Sequence, residues 1–182
     1  MLYAGEPVSD KARGMFMVLG VGPKNPIGDF ASTSMIGYGV NAELDYTDNE
    51  YLPMFLFAKL EFLHFPGSQE LYQTSNYSHY STNFLPFSAG ARYYFAPLLQ
   101  NIVLVMPFIE ASGQFAIFQR LQQYKISTSL PSKLEDGSKF GFSLGIGVSM
   151  FLTELLASYT YSTSNQYIGL DLKVRLPLYV SI

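Results

Sequence analysis

Apolar and polar residues alternate with a period of two at the end of the chain. Every second residue from Ile168 to Ile182 is aliphatic, and the residues between them are mostly polar or small. The same alternation runs from Phe140 to Leu152, where glycine and serine fill most of the other positions. Successive side chains of a β-strand point to opposite faces, so both segments predict strands with one apolar face. They are about twice the usual strand length of five to six residues, which favours a membrane-spanning β-barrel.

The whole pattern predicts eight strands separated by connections of alternating length. The strands are expected at residues 14–22, 35–46, 54–65, 84–96, 104–119, 140–152, 155–163 and 167–182. Outer loops are expected at 23–34, 66–83, 120–139 and 164–166, of which the last is unusually short, and short turns are expected at 47–53, 97–103 and 153–154. Long extracellular loops that alternate with short periplasmic turns are typical of outer-membrane barrels. The predicted fold is therefore all-β, an eight-stranded antiparallel up-and-down transmembrane β-barrel with both termini in the periplasm.

The polar face of the predicted strands decides between a membrane barrel and a soluble barrel. A soluble lipocalin-type barrel also alternates, but its apolar face lies inside. Its outer face would favour threonine and long charged side chains, whereas strand 140–152 offers glycine and serine. Strand 35–46 offers Gly37, Gly39 and Asn41 together with two carboxylates. Small residues with a few charges suit the crowded interior of an eight-stranded barrel, so the membrane barrel is favoured.

Aromatic residues make up 16% of the chain, and those on the apolar face fall near the ends of predicted strands. Transmembrane barrels carry aromatic belts at both membrane interfaces, which fits this placement. The alternative is the ordinary preference of tyrosine and phenylalanine for strands. The candidates are Tyr46, Tyr93 and Phe95 beside short turns, and Tyr38, Phe62, Phe115, Tyr159 and Tyr161 toward the long loops.

Length and composition limit the number of domains and the kinds of site that the chain can form. The 182 residues fit a single barrel domain at 1–182, in which residues 1–13 form a periplasmic segment. The chain has no cysteine, which excludes disulfides and cysteine nucleophiles, and its net charge of -3 gives no nucleic-acid footprint. The first residues lack the basic and apolar segments of a signal peptide, which an outer-membrane protein needs, so we expect a mature or trimmed form.

Nine charged residues occupy inward-facing positions of the predicted strands. They are Glu43, Asp45, Lys59, Glu61, Arg92, Glu110, Asp171, Lys173 and Arg175. Isolated charges in a confined interior are unfavourable, whereas paired and hydrogen-bonded charges persist. Five acids and four bases therefore predict a salt-bridged network that plugs the barrel. A proton or ion pathway is the alternative, although eight strands leave little room for a permanent aqueous channel.

Three stretches carry short motifs in the order that one known family has them. Gly22 to Phe30 contains Pro-Ile-Gly-Asp-Phe, and Ser88 to Phe95 contains Gly-Ala-Arg-Tyr-Tyr-Phe. Pro107 to Gly113 reads Pro-Phe-Ile-Glu-Ala-Ser-Gly. These stretches resemble the P-x-G-D-F, G-x-[KR]-Y-Y-F and P-Y-x-E-x-G segments of the bacterial outer-membrane β-barrel domain family, which contains OmpX-, OmpW- and OmpA-type barrels. The resemblance covers nearly the whole chain and concerns structure more than biochemical role.

The resemblance implies a location in the bacterial outer membrane, surrounded by lipid and lipopolysaccharide. It also implies insertion by the barrel-assembly machinery, and it is compatible with contacts to other envelope proteins. It implies no cofactor and no bound metal.

The predicted loop at 66–83 holds the residues best suited to recognition. They are Tyr72, Tyr77, His79 and Tyr80. Such side chains can stack and also hydrogen-bond, which suits protein or glycan contacts. His79 and Ser81 resemble the H-x-S-N segment of lipid A deacylases, which are small outer-membrane barrels. Serine catalysis needs a base and an acid that orients it, and no acid follows Ser81 at a comparable distance.

Six apolar residues also fall on inward-facing positions: Phe16, Val18, Phe55, Phe57, Leu63 and Phe118. Core packing explains them, and the alternative is a pocket for small hydrophobic molecules. The predicted function is a non-enzymatic outer-membrane barrel with a plugged interior, which acts as a structural or interaction subunit through its extracellular loops. An OmpW-like conduit for small hydrophobic molecules and a lipid A-modifying hydrolase are the alternatives.

Overall fold

The computed structural model describes residues 13–48, 52–98, 105–125, 131–163 and 165–181. Eight strands pair in chain order, and β8 pairs back with β1 to close a barrel. The strands are β1 (Arg13–Ile27), β2 (Gly37–Asp48), β3 (Leu52–Pro66), β4 (Tyr77–Tyr94), β5 (Val105–Tyr124), β6 (Lys133–Met150), β7 (Thr153–Ser162) and β8 (Asn165–Ser181). All neighbouring strands are antiparallel. The predicted fold class, an eight-stranded antiparallel barrel, is confirmed.

Two short helices occupy connections at one end of the barrel. Helix α1 (Asp29–Thr33) follows β1, and helix α2 (Gln69–Thr74) follows β3. We call this end the loop end, and the opposite end, where Arg13 and Ser181 pair, the terminal end. Among the described residues, no helix is long and apolar enough to cross a membrane.

The strands are longer at the loop end than the sequence predicted. The loops expected at 66–83 and 120–139 are wrong in extent, because β4 already begins at Tyr77, β5 continues to Tyr124 and β6 begins at Lys133. Beyond the apolar band the outward residues become polar, so the alternation that identified the strands fades while the backbone ladder continues. Of the predicted segment 1–13, only Arg13 lies within the described residues, and it is the first residue of β1.

The register of the strands fixes the dimensions of the barrel. Following the paired residues from Phe16 around all eight strands leads back to Pro26 on β1, a displacement of ten residues. This stagger belongs to a barrel whose strands tilt by about 35–45°, and with eight strands the interior is just wide enough for side chains to fill.

Apolar side chains form a belt around the outside of the barrel. On β8, Leu170, Leu172 and Val174 are 47%, 55% and 41% exposed, whereas the charged residues between them are buried. The same inversion holds on β2, where Val40 and Leu44 are exposed and Glu43 is 2% exposed. A soluble barrel has the opposite polarity, with its apolar face inside. The belt therefore matches a barrel that is surrounded by lipid.

Candidate functional site

Arg92 is the centre of a charge cluster inside the barrel. This side chain on β4 is 0% exposed. Its guanidinium donates hydrogen bonds to Glu43 at 2.5 Å and to Asp45 at 3.0 Å, both on β2. It also donates to Glu110 on β5 at 2.7 Å and to Glu154 on β7 at 3.3 Å. The planar guanidinium, with five N–H donors in a fixed fork, is suited to hold several carboxylates at once.

Two further cations from β8 join the same carboxylates. The ammonium of Lys173 lies 3.0 Å from Glu43, and the guanidinium of Arg175 lies 2.8 Å from Asp45 and 2.9 Å from Glu154. We call these seven residues the Arg92 cluster: Glu43, Asp45, Arg92, Glu110, Glu154, Lys173 and Arg175. Because they come from five strands, their contacts cross the interior of the barrel.

Aromatic rings pack against the cations of the Arg92 cluster, toward the terminal end of the barrel. The guanidinium carbon of Arg92 lies 5.3 Å from the ring centre of Phe57 and 5.0 Å from that of Phe108. That of Arg175 lies 5.0 Å from Phe55 and 5.1 Å from Tyr94. Such distances allow cation–π attraction. The hydroxyl of Tyr94 also donates to Glu154 at 2.7 Å, so the ring layer and the charges form one network.

A second group of charges lies closer to the loop end. Lys24 on β1 is 2% exposed, and its ammonium lies 2.8 Å from Glu61 on β3 and 2.7 Å from Asp171 on β8. Lys59, also buried, is attracted by the carboxylates of Glu61 and Glu110. These contacts connect the group around Lys24 to the Arg92 cluster.

The structure places all nine predicted interior charges inside the barrel, and it adds Lys24 and Glu154. Sequence reasoning missed these two because Lys24 was assigned to the loop at 23–34 and Glu154 to the turn at 153–154. The signal was the parity of their strands: Lys24 continues the inward positions Gly20 and Gly22, and Glu154 precedes the inward Leu156. With these two additions, the buried charged side chains of the interior are the acids Glu43, Asp45, Glu61, Glu110, Glu154 and Asp171 and the bases Lys24, Lys59, Arg92, Lys173 and Arg175.

Of the residues predicted as a recognition loop, only Tyr72 lies in the connection between β3 and β4. Tyr77, His79 and Tyr80 belong to β4, and Tyr72 belongs to α2. Tyr80 is 4% exposed, and the hydroxyl of Tyr72 bonds both its carbonyl oxygen, at 3.0 Å, and its amide, at 3.1 Å. These two side chains therefore brace α2 against β4. They do so because the strand continues past the apolar band, which the sequence pattern did not reveal.

Tyr77 and His79 remain accessible at the tip of the loop end. Tyr77 is partly buried, and its ring centre lies 5.1 Å from that of Tyr124 on β5. Burial and a hydrogen bond with Tyr124 raise the pKa of Tyr77 above its ordinary value. His79 is exposed beside this tyrosine pair.

The geometry does not assemble a serine hydrolase site from His79 and Ser81. His79 is exposed, whereas Ser81 is 5% exposed. Within the described residues, no hydrogen bond joins the two side chains and no carboxylate pairs with His79. Nor does the described part of the chain hold a group of three or more histidine, aspartate or glutamate side chains that could bind a metal.

The predicted apolar interior residues fall into two separate sets rather than one pocket. Phe16 and Phe55 pack at the terminal end, with ring centres 5.9 Å apart, and Phe57 lies against Arg92. Leu63 and Phe118 instead belong to an aromatic cluster at the loop end. The charged groups lie between the two sets, so no continuous apolar path connects them along the interior of the described barrel.

Comparisons with known proteins identify the architecture. No protein-family model matches the chain, and no curated protein sequence matches it. Neisserial surface protein A has a similar solved structure, with a TM-score of 0.53 at 13% identity, covering 91% of this chain and 97% of that protein. Ail of Yersinia pestis, solved with the heparin analogue sucrose octasulfate, gives a TM-score of 0.45 at 14% identity, covering 92% and 97%. The chain has the fold of the small eight-stranded outer-membrane β-barrels, the class that its sequence resembles.

Proposed function

We propose that the protein is a non-enzymatic integral barrel of the bacterial outer membrane whose interior is closed and whose loop end makes contacts with other molecules. It acts as a structural or interaction subunit. Eight strands bring both termini to the same side of the membrane, and we assign that side to the periplasm, as the resemblance to outer-membrane barrels implies. Lipid and lipopolysaccharide surround the belt, and the barrel-assembly machinery inserts the chain.

The observation that carries the closed interior is the burial of Arg92 among four carboxylates that come from three other strands. An open aqueous channel would hydrate these side chains, whereas Arg92 is 0% exposed and Glu43, Glu110 and Glu154 are 2%, 5% and 1% exposed. Eight strands enclose a volume that side chains can fill, and the paired charges occupy it without a large net charge.

Conductance of the purified protein tests this proposal. After a shift in gel mobility on heating has verified a folded barrel, the protein is inserted into planar bilayers at high salt. We expect bilayers without discrete openings, because ions would have to displace buried ion pairs. Steady openings of uniform size would contradict the closed interior and would favour an ion pathway through the Arg92 cluster.

The location in a membrane has a separate test on the lipid-facing belt. Leu172 pairs with Val21 on β1 and Leu155 on β7, and all three side chains are exposed. Replacing Leu172 with arginine is expected to lower the free energy of unfolding in a bilayer by about 2–4 kcal/mol, because a charge at the midplane loses its hydration. The matched replacement of Leu178, nearer the terminal end, is expected to cost about 0–1 kcal/mol. Equal and small losses at both positions would contradict burial of the belt in lipid.

The surface at the tip of the loop end is the part we assign to recognition. Tyr77, Tyr124 and His79 present aromatic and hydrogen-bonding groups on the paired strands β4 and β5. Rigid aromatic side chains lose little conformational entropy on binding, which favours their use in contacts. Tyr72 and Tyr80 support this surface from below and are not part of it.

A further inference from the structure

An aromatic layer closes the barrel at the loop end, and one helix supplies its centre. Phe30 on α1 is 2% exposed, and its ring centre lies 4.8 Å from Phe65 on β3 and 6.0 Å from Phe84 on β4. We call the following seven residues the aromatic lid: Phe30, Leu63, Phe65, Phe84, Ala116, Phe118 and Tyr167. Its wall residues come from β3, β4, β5 and β8, so Phe30 fills the space that they leave.

Short-range contacts hold α1 over the mouth. The chain enters the helix through Gly28, whose φ of 60° favours glycine because it lacks a β-carbon. Ser68, just before α2, donates its hydroxyl to the carbonyl of Ser32 at 3.0 Å and its amide to the carbonyl of Thr33 at 3.0 Å. The second connection therefore fixes the position of the first, with Phe30 directed into the barrel.

Below the aromatic lid, one side of the barrel wall carries only small or neutral polar side chains. On β5 the inward residues run from Glu110 of the Arg92 cluster to Ala116 of the lid, with Ser112 and Gln114 between them. The neighbouring strands follow the same order. The neutral side chains at this level are Asn41, Ser88, Ser112, Gln114, Ser143, Ser158 and Thr160, all buried. Asn41 pairs across the strands with Glu61, and Ser88 pairs with Lys59, so the group around Lys24 forms the other side of the wall here.

A few buried polar atoms at or just below this level have no hydrogen-bond partner in the described part of the chain. Neither the nitrogen nor the oxygen of the Asn41 side-chain amide has a hydrogen-bond partner among the described residues, and one carboxylate oxygen of Glu110 also lacks one. Asn41 is 6% exposed and Glu110 is 5% exposed. Buried polar groups almost always have a partner, and an internal water molecule with two to four polar neighbours is the usual one when the protein offers none.

We propose that the barrel encloses a polar chamber between the aromatic lid and the Arg92 cluster, that the chamber binds water or small neutral hydrogen-bonding solutes, and that Phe30 closes its entrance. The hydroxyl and amide groups of the wall bind neutral molecules, and the apolar lid separates them from the exterior. The proposal concerns access from the loop end. It does not depend on whether ions cross the Arg92 cluster.

Thiol labelling tests the closure, because the chain has no cysteine of its own. Ser112→Cys places one reporter in the chamber, and Lys133→Cys places a reference thiol on the exposed start of β6. A small uncharged methanethiosulfonate is added to the folded protein in micelles. We expect the chamber thiol to react at least about 100-fold more slowly than the reference, since reaction requires local opening of a packed layer. Adding Phe30→Ala is expected to remove most of this protection.

Two controls identify the seal. Phe30→Leu keeps apolar bulk in the mouth and should retain protection, with Phe30→Val intermediate in case the alanine variant does not fold. Phe62→Ala removes the same ring from the outer face and should leave the labelling rate unchanged. Rapid labelling of Ser112→Cys with Phe30 in place would overturn the closed chamber. Slow labelling in the Phe30→Ala and Phe30→Val variants alike would overturn the role of Phe30.

Two other readouts separate this proposal from the closed pore and test the bound water. Phe30→Ala should remain silent in planar bilayers, because the Arg92 cluster is intact. Openings in the unaltered protein would contradict the closed interior at the Arg92 cluster, whereas the chamber is tested by the labelling rates. In nuclear magnetic resonance spectra, the Asn41 side-chain amide should give cross-peaks with water. Their absence, with the amide signals themselves visible, would overturn the hydrated chamber.

Discussion

Replacement of Arg92 with alanine is expected to lower the free energy of unfolding by about 3–5 kcal/mol, because it leaves buried carboxylates without their cation. Glu43 and Glu110 retain Lys173, at 3.0 and 3.8 Å, and Asp45 and Glu154 retain Arg175, at 2.8 and 2.9 Å. Four acids would then share two cations, so like charges repel in a medium that screens them poorly.

The measurement is equilibrium unfolding in urea, followed by circular dichroism and gel mobility, since the chain has no tryptophan. Arg13→Ala is the control. Arg13 pairs with Asp48 at 2.8 Å, but its side chain is 45% exposed, so its pair is expected to contribute no more than about 1 kcal/mol. Arg92→Lys keeps the charge and loses the fork, and its stability should fall between those of the original protein and the alanine variant. Equal, small losses for Arg92→Ala and Arg13→Ala would show that the cluster does not stabilise the barrel.

The same variant separates a structural plug from a pathway. The aromatic rings and the remaining charged side chains still occupy the interior of Arg92→Ala, and the smaller side chain leaves a gap within one layer only. We therefore expect a less stable barrel that does not conduct. A stable Arg92→Ala protein with new, discrete openings would mean that Arg92 gates a lumen rather than holding the barrel together.

The parts of this fold that follow from sequence are those in which burial imposes alternation. Lipid on one side and a crowded interior on the other force opposite polarity on successive residues, so β8 and the second half of β6 were predicted closely. The interior charges on these central segments followed from parity alone. A one-residue slip would move every charge into lipid, which makes the register strongly determined.

The prediction of strands failed where a segment no longer has lipid on one side and the crowded interior on the other. Near the tip of the loop end the outward residues of β4 and β5 are mostly polar, so the segments around Tyr77 and Tyr124 carry no apolar alternation that marks a strand. Pro23 and Pro26 looked like turn residues next to Lys24, although they lie on β1, which continues to Ile27. Phe30 lies in a connection that has no periodicity of its own. Its burial depends on the aromatic residues of four distant strands, which a local pattern does not bring together.

Lys24 is the simpler test of the interior network, since it pairs with only two carboxylates, Glu61 on β3 and Asp171 on β8. Lys24→Ala is expected to lower the free energy of unfolding by about 3–5 kcal/mol, because it leaves Glu61 and Asp171 buried without their shared partner. Lys133→Ala, on the exposed end of β6, is the matched control and should lie within about 0.5 kcal/mol of the original protein.

A second substitution distinguishes loss of charge pairing from loss of packing. Asp171→Asn removes the negative charge that Lys24 neutralised while it keeps the shape of the side chain. If pairing is what Lys24 contributes, Asp171→Asn will destabilise the original protein but will restore about 0.5–3 kcal/mol to Lys24→Ala, the range of coupling between residues in one network. Losses that simply add would mean that the aliphatic part of Lys24 matters more than its charge. The recovery is expected because an unpaired buried carboxylate is more unfavourable than a neutral amide in the same place.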